Sequence, residues 1–109
     1  MKLVIVTACL AGVAHSKMVA AALKKEAEAR GHQVWCEMQG GYNLTESLPA
    51  AVCRQADVVI FAYAIAVAGQ ERFAGKPIIK VPIEKAIRNI KPLVDKAEEV
   101  FETMKEQRK

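Results

Sequence analysis

The chain has 109 residues, of which 52% are hydrophobic and 6% aromatic, and a formal net charge of +4. This is one small domain with enough apolar material for a core. The longest apolar run, residues 58–68, falls short of the roughly 20 residues that a membrane span needs. The few aromatics and the lack of a basic stripe interleaved with them argue against nucleic-acid binding. Lys105, Arg108 and Lys109 read as a solvated helix end.

Met1-Lys2 runs directly into Leu3-Val4-Ile5-Val6, a strand-like start rather than a secretory signal. Residues 3–6 suit a strand buried on both faces, broken at Thr7. A helix is predicted over 16–30, with Val19, Ala22, Leu23 and Ala27 on its apolar face and Gly31 as its C-terminal cap. Residues 33–38 read as a second strand leading to Gly40-Gly41, and residues 42–47 as a polar loop. Residues 48–55 read as a short helix with Pro49 in its first turn. Asp57 precedes a third strand over 58–61. A long loop through Gly69 and Gly75 leads to a fourth strand over 77–81. Ile83, Ala86, Ile87 and Ile90 share one helical face, and Pro92 opens a final helix with Leu93, Ala97, Val100 and Met104 inward.

The order β-α-β-α-β-β-α indicates an α/β fold, a single domain over 1–109 with a mainly parallel sheet. Right-handed crossovers place helices on both faces, in a Rossmann-like three-layer sandwich. Ligands of such sheets bind beyond the carboxyl ends of the strands. The loops after Val6, Met38, Phe61 and Val81 are therefore the places to look.

Three cysteines, Cys9, Cys36 and Cys53, form no Cys-x-x-Cys pair, and His15 and His32 complete no metal-site spacing. An odd, widely spaced set points to reduced thiols in the cytosol rather than a disulfide framework. Cys36 and Cys53 read as small core residues. Cys9 differs, because it stands between a strand and a helix in Thr7-Ala8-Cys9-Leu10-Ala11-Gly12-Val13-Ala14-His15-Ser16. Backbone N–H groups ahead of a helix and the helix dipole favour an anion there. Small residues let the chain curl around a tetrahedral phosphate. The same field favours the thiolate of Cys9, which is a nucleophile without a dedicated base. A nucleophile and an anion cradle in one loop suggest phosphoryl transfer to sulfur, with the loop stabilising the spread charge of the transition state. His15 and Ser16 are candidates to orient the phosphate.

These residues carry a resemblance. Thr7-Ala8-Cys9, Gly12, Ala14 and His15 match the T-A-C-P-T-G-I-A-H-T loop of fructose-type enzyme IIB domains of bacterial sugar phosphotransferase systems. Glu37-Met38-Gln39-Gly40 resembles the E-T-Q-G of that family, Ala56-Asp57-Val58-Val59-Ile60 its A-D-V-V-I, and Glu71-Arg72-Phe73-Ala74-Gly75-Lys76-Pro77 its E-R-F-A-G-K-P. The matches span nearly the whole chain in order. The resemblance implies a four-stranded parallel sheet with helices on both faces. It implies that Cys9 takes a phosphoryl group from a phosphohistidine on a IIA protein or domain. Cys9 then gives it to a sugar, fructose or a related hexose, brought in by a membrane-embedded IIC partner. Leu10, Ala11, Gly12, Val13, Ala14, His15 and Ser16 would form the phosphate-holding loop. The protein would be cytoplasmic, peripheral to the membrane through IIC, with no cofactor and no metal.

The chain departs from the family pattern at several points. Leu10 and Ala11 replace a proline and a small hydroxyl residue, Lys17 a common tyrosine, and Ala64 a usual aspartate; Tyr42-Asn43-Leu44-Thr45 departs from an I-G-x-E-like stretch. Two other readings stay open at this point. A cysteine-dependent low-molecular-weight phosphatase has the same spacing, but His15 stands where such enzymes carry arginine, which loses the bidentate clamp on phosphate. A non-catalytic regulatory relative would keep the fold without the transfer. Lys17, Arg72 and Lys76 are candidates to steer partners, although solvated surface charges are the simpler reading.

Overall fold

The computed structural model describes residues 1–9, 13–39 and 48–107, with backbone alone for 13–16 and 106–107. Strand β1 (Lys2–Ala8) is followed by helix α1 (Val13–Ala29), β2 (Gln33–Gln39), α2 (Ala50–Gln55), β3 (Val58–Tyr63), a 3-10 turn (Gln70–Phe73), β4 (Ile78–Pro82), α3 (Ile83–Arg88) and α4 (Ile90–Gln107). The four strands form one sheet in the order β2-β1-β3-β4, and every pairing is parallel.

The apolar runs of β1 and β3 are buried on both faces, and alternate residues feed two separate cores. Leu3, Ile5, Val58 and Ile60 meet Val19, Leu23, Ala86, Val94 and Ala97 from α1, α3 and α4. Val4, Val6, Val59 and Phe61 meet Cys53, Ala56, Val67 and Phe73 from α2 and the chain around the 3-10 turn. Helices thus cover both faces, as the alternation of elements predicts. The Asp57 side chain accepts the Lys2 N–H at 2.7 Å, and the Asp57 N–H donates to the Lys2 carbonyl at 2.7 Å, so β1 and β3 start level.

Gly31 ends α1 at φ +88°. The His32 N–H reaches the Ala27 carbonyl at 3.1 Å and the Gly31 N–H reaches Glu28 at 3.0 Å, the paired bonds of a left-handed glycine cap. Several predicted bounds move. Strand β1 does not break at Thr7. Thr7 pairs with Met38 on one side and Ala62 on the other, and its β-branched side chain suits a strand. Helix α1 begins at Val13 rather than at residue 16. On its buried face Ala20 joins Val19, Leu23 and Ala27, while Ala22 is only half-buried. The loop between β3 and β4 contains the 3-10 turn. Helix α4 begins at Ile90, and Pro92 lies in its first turn, where a missing N–H costs nothing. Val94 and Phe101 widen its inward face beyond Leu93, Ala97, Val100 and Met104.

Phe73 is fully buried and meets the Phe61 ring edge-on, with centroids 5.8 Å apart. Phe73→Ala is expected to cost about 3–5 kcal/mol, measurable by urea denaturation; a loss below about 1 kcal/mol would show that the turn packs more loosely than this contact implies.

Candidate functional site

Ala8 pairs with Gln39 of β2 and with Tyr63 of β3. Three parallel strands therefore end at one level, and the residues after them leave the sheet side by side. The chain passes from β1 to β2 on one flank, while β3 lies on the other. The carboxyl end of β1 is thus the topological switch point, where open α/β sheets bind ligands.

Cys9 stands at this point. It is half-buried and packs against the core on the α1 side. Its N–H donates to the Gln39 carbonyl at 3.1 Å. The preceding carbonyl, that of Ala8, accepts from the Ala64 N–H at 2.7 Å and more weakly from Ile65 at 3.4 Å. The end of β1 is therefore gripped from both neighbouring strands. Ala64 is exposed and sits beside this grip, so no carboxylate occupies the position where the resembling family has aspartate.

Of the residues predicted to hold a phosphate, Leu10, Ala11 and Gly12 lie outside the described residues. Val13, Ala14, His15 and Ser16 form the first turn of α1 rather than a loop, and their side chains lie outside the description. That turn supplies the N–H groups that a helix leaves without an intrahelical acceptor. It carries no acidic residue to compete with an anion, and Lys17 follows it, exposed.

The other thiols have structural places. Burial pushes the Cys36 thiol up to about 11, and its Sγ lies 3.9 Å from the Ala20 carbonyl. Cys53 is buried in the second core. Both fit the packing reading. Two of the candidate steering charges are engaged as well: Arg72 binds Glu37, and the Lys76 ammonium donates to the Arg54 carbonyl.

Glu37 and Gln39, which the sequence places in a motif but assigns no role, lie on β2 beside this edge. Glu37 is only 2% exposed. Its Oε1 accepts from Arg72 Nη1 at 2.8 Å and from the Leu48 N–H at 2.8 Å; its Oε2 accepts from Arg72 Nη2 at 2.9 Å and from Gln39 Nε2 at 2.6 Å. Burial pushes the carboxyl up, but the hydrogen bonds from Arg72, Gln39 and Leu48 outweigh it and hold it below the usual carboxylate range. Gln39 also brackets one residue, accepting from the Ala68 N–H at 2.8 Å and donating to the Ala68 carbonyl at 2.9 Å. Arg72 Nε donates to the Gly69 carbonyl at 2.8 Å. A signal was present in the sequence: a carboxylate inside an apolar strand demands a buried cation.

Thr7 Oγ1 is buried and has no hydrogen-bond partner among the described residues. It lies on the same strand face as Cys9, two residues away.

A parallel α/β domain with a thiol at its switch point, ahead of a helix N-terminus, defines the class. Comparison with known proteins narrows it: the chain belongs to the IIB family of sugar phosphotransferase systems. The family model described as "PTS system, Lactose/Cellobiose specific IIB subunit" matches residues 4–96. Several relatives are named as fructose-like or fructose-specific components. "PTS system fructose-like EIIB component 2" of Escherichia coli K12 is 41% identical over 97 residues, covering 89% of this chain and 92% of the relative. "PTS system fructose-specific EIIB component" of Haloferax volcanii is 36% identical over 105 residues, covering 96% of this chain and 66% of the relative. A domain of a fructose-specific IIABC component from Borrelia burgdorferi superposes with a TM-score of 0.81 at 35% identity, covering 93% of each chain. An Escherichia coli K12 enzyme IIB subunit superposes at 0.85 with 29% identity, covering 95% of this chain and 96% of the other. An arsenate reductase, at 0.57 and 12% identity, shares the fold.

Two stability predictions follow from the site. Thr7→Val removes an unsatisfied buried hydroxyl and is expected to raise stability by about 1 kcal/mol, read as a thermal midpoint a few degrees higher; a lower midpoint would mean that the hydroxyl finds a partner in solution. Because the Glu37 carboxyl titrates lower in the folded chain than in the unfolded one, its stabilisation is complete above the unfolded value of about 4.3. It is lost as pH falls through the folded value. Urea melts between pH 7 and pH 3 should therefore show an acid-sensitive component that Glu37→Gln lacks. At pH 7 that substitution is expected to cost about 3 kcal/mol.

Proposed function

We propose that this chain is a phosphoryl carrier and that Cys9 is the group that carries. The supporting observation is the position of Cys9 at the carboxyl end of an interior strand, directly ahead of the N-terminal turn of α1. The Cys9 thiolate attacks the phosphorus of a phosphohistidine on a IIA donor. The S–P bond forms as the N–P bond breaks, and the electron pair returns to the imidazole nitrogen, which takes a proton from water. In the second transfer a sugar hydroxyl attacks the phosphorus, its proton leaves to a base, and Cys9 departs as thiolate.

Little covalent chemistry is asked of the protein beyond this, so catalysis rests on position and electrostatics. Leu10, Ala11 and Gly12 with the first turn of α1 would present backbone N–H groups to the phosphoryl oxygens. His15 and Ser16 would orient them. Lys17 and the lack of an acid at position 64 keep the surroundings hospitable to a dianion.

The acceptor is fructose or a related hexose held by a membrane IIC partner, and the carrier works at the cytoplasmic face. Relatives named as fusions support this partner set. A "Fructose-like PTS system EIIBC component" of Escherichia coli K12 is 37% identical over 92 residues, which make up 19% of its length. Among the described residues no helix is long and apolar enough to cross a membrane.

The test is intact-mass spectrometry after incubation with phosphoenolpyruvate, the general transfer proteins and a fructose-type IIA donor at neutral pH. One added phosphoryl mass is expected, absent in Cys9→Ser. No gain from a donor shown to be phosphorylated would overturn the carrier reading.

A further inference from the structure

We infer that Gln39, with Glu37 and Arg72 behind it, is a positioning residue for phosphoryl transfer at Cys9. The inference rests on the carrier reading and adds to it a mechanical coupling. Residues 64–69 leave β3 and are tied down at both ends. At one end Ala64 and Ile65 donate to the Ala8 carbonyl. At the other end the backbone N–H and carbonyl of Ala68 are both bound by the Gln39 amide, and the Gly69 carbonyl accepts from Arg72 Nε. Strands β3 and β2 flank β1 on opposite sides, so this segment crosses the carboxyl end of β1 as a strap. Val67 at its middle packs into the α2-side core, whereas Cys9 packs into the α1-side core. Cys9 and the middle of the strap thus face opposite cores at the carboxyl end of β1.

Gln39 serves both sides of this arrangement. Its backbone carbonyl accepts the Cys9 N–H, and its side chain holds the strap. A change in the strap is thereby passed to the nucleophile through one residue. The ion pair behind it sets the geometry. Glu37 and Gln39 are two residues apart on β2 and share a face. A buried carboxylate–guanidinium pair adds little net stability over an apolar pair, but its two parallel bonds have one geometry. Glu37 also accepts the Leu48 N–H, so the same carboxylate fixes the chain that returns to the sheet after residues 40–47.

Gly69 belongs to the device. Its φ is +72°, and a Cβ there would lie 2.7 Å from Arg72 Nε. Any side chain at 69 would strain the backbone and push Arg72 from its place.

The experiment measures steady-state phosphorylation of Cys9 by a phosphorylated IIA donor, with circular dichroism as the check on folding and the 31P resonance of the phosphocysteine as a local probe. Gln39→Ala keeps the backbone carbonyl and releases the strap; Gly69→Ala displaces Arg72 and is the second route should Gln39→Ala fail to fold. Gln70→Ala is the control, because among the described residues the Gln70 side chain bonds to the Val67 carbonyl and to none of Gln39, Glu37 and Arg72. For Gln39→Ala and Gly69→Ala, kcat is expected to fall about tenfold or more, with KM for the donor within about twofold and a shifted or broadened 31P line. Gln70→Ala should leave kcat and the 31P line unchanged. Wild-type kcat and an unaltered 31P line in folded Gln39→Ala and Gly69→Ala would overturn the positioning role and leave the carrier reading standing. An equal fall in Gln70→Ala would overturn it too, as general loosening. A wild-type chain that accepts no phosphate would instead overturn the carrier reading, and the positioning role with it.

Discussion

The carboxyl edge of this domain depends on one buried carboxylate. Glu37 leaves water almost completely, which is costly for a charge, and four donors from three places in the chain make up for it. Those donors come from β2 itself, from the residue that opens the approach to α2, and from the 3-10 turn. Segments far apart in sequence are thus held to one another by directional bonds rather than by apolar contact alone. Phe73, beside Arg72, anchors the turn in the core, and the guanidinium lies over its ring at 5.0 Å, a favourable cation–π placement.

Around that point the architecture separates burden from chemistry. The two cores on either side of the sheet carry the stability, and the strands that feed them end level. What emerges at the edge is therefore placed by the rigid part of the molecule rather than by the loops themselves. Cys9 profits most, because β1 lies inside the sheet with a parallel neighbour on each side, and the connections from β1 and from β3 leave in opposite directions. Its N–H and the carbonyl before it are both taken by neighbouring segments, so its backbone has little freedom to drift.

The charges near the site divide into two kinds. Arg72 and Lys76 belong to motifs that the sequence shares with its family, and both are engaged in holding segments together. Lys17 is exposed near the first turn of α1 and adds positive potential where the helix already favours an anion. Ala64, adjacent to the grip on Ala8, leaves that side neutral. An anion carried at Cys9 would meet helix N–H groups and a lysine on one side and an uncharged strap on the other.

Much of this was determined by local sequence. Apolar β-branched runs alternating with amphipathic segments specify a parallel α/β sheet, and Gly31 marks the end of α1 because left-handed backbone favours glycine. Cys9 among small residues between a strand and a helix already marks the position proposed to carry the phosphoryl group, since those features act over a few neighbouring residues. The tertiary structure alone decided which charges pair and which stay free. Two partners of Glu37, Leu48 and Arg72, lie 11 and 35 residues away along the chain, a separation that periodicity does not register. The strap across β1 belongs with it, since the Gln39 amide that holds Ala68 lies 29 residues away along the chain. Both are settled by what packs against the segment, because burying a backbone or a charge is tolerated only where a distant partner completes its hydrogen bonds.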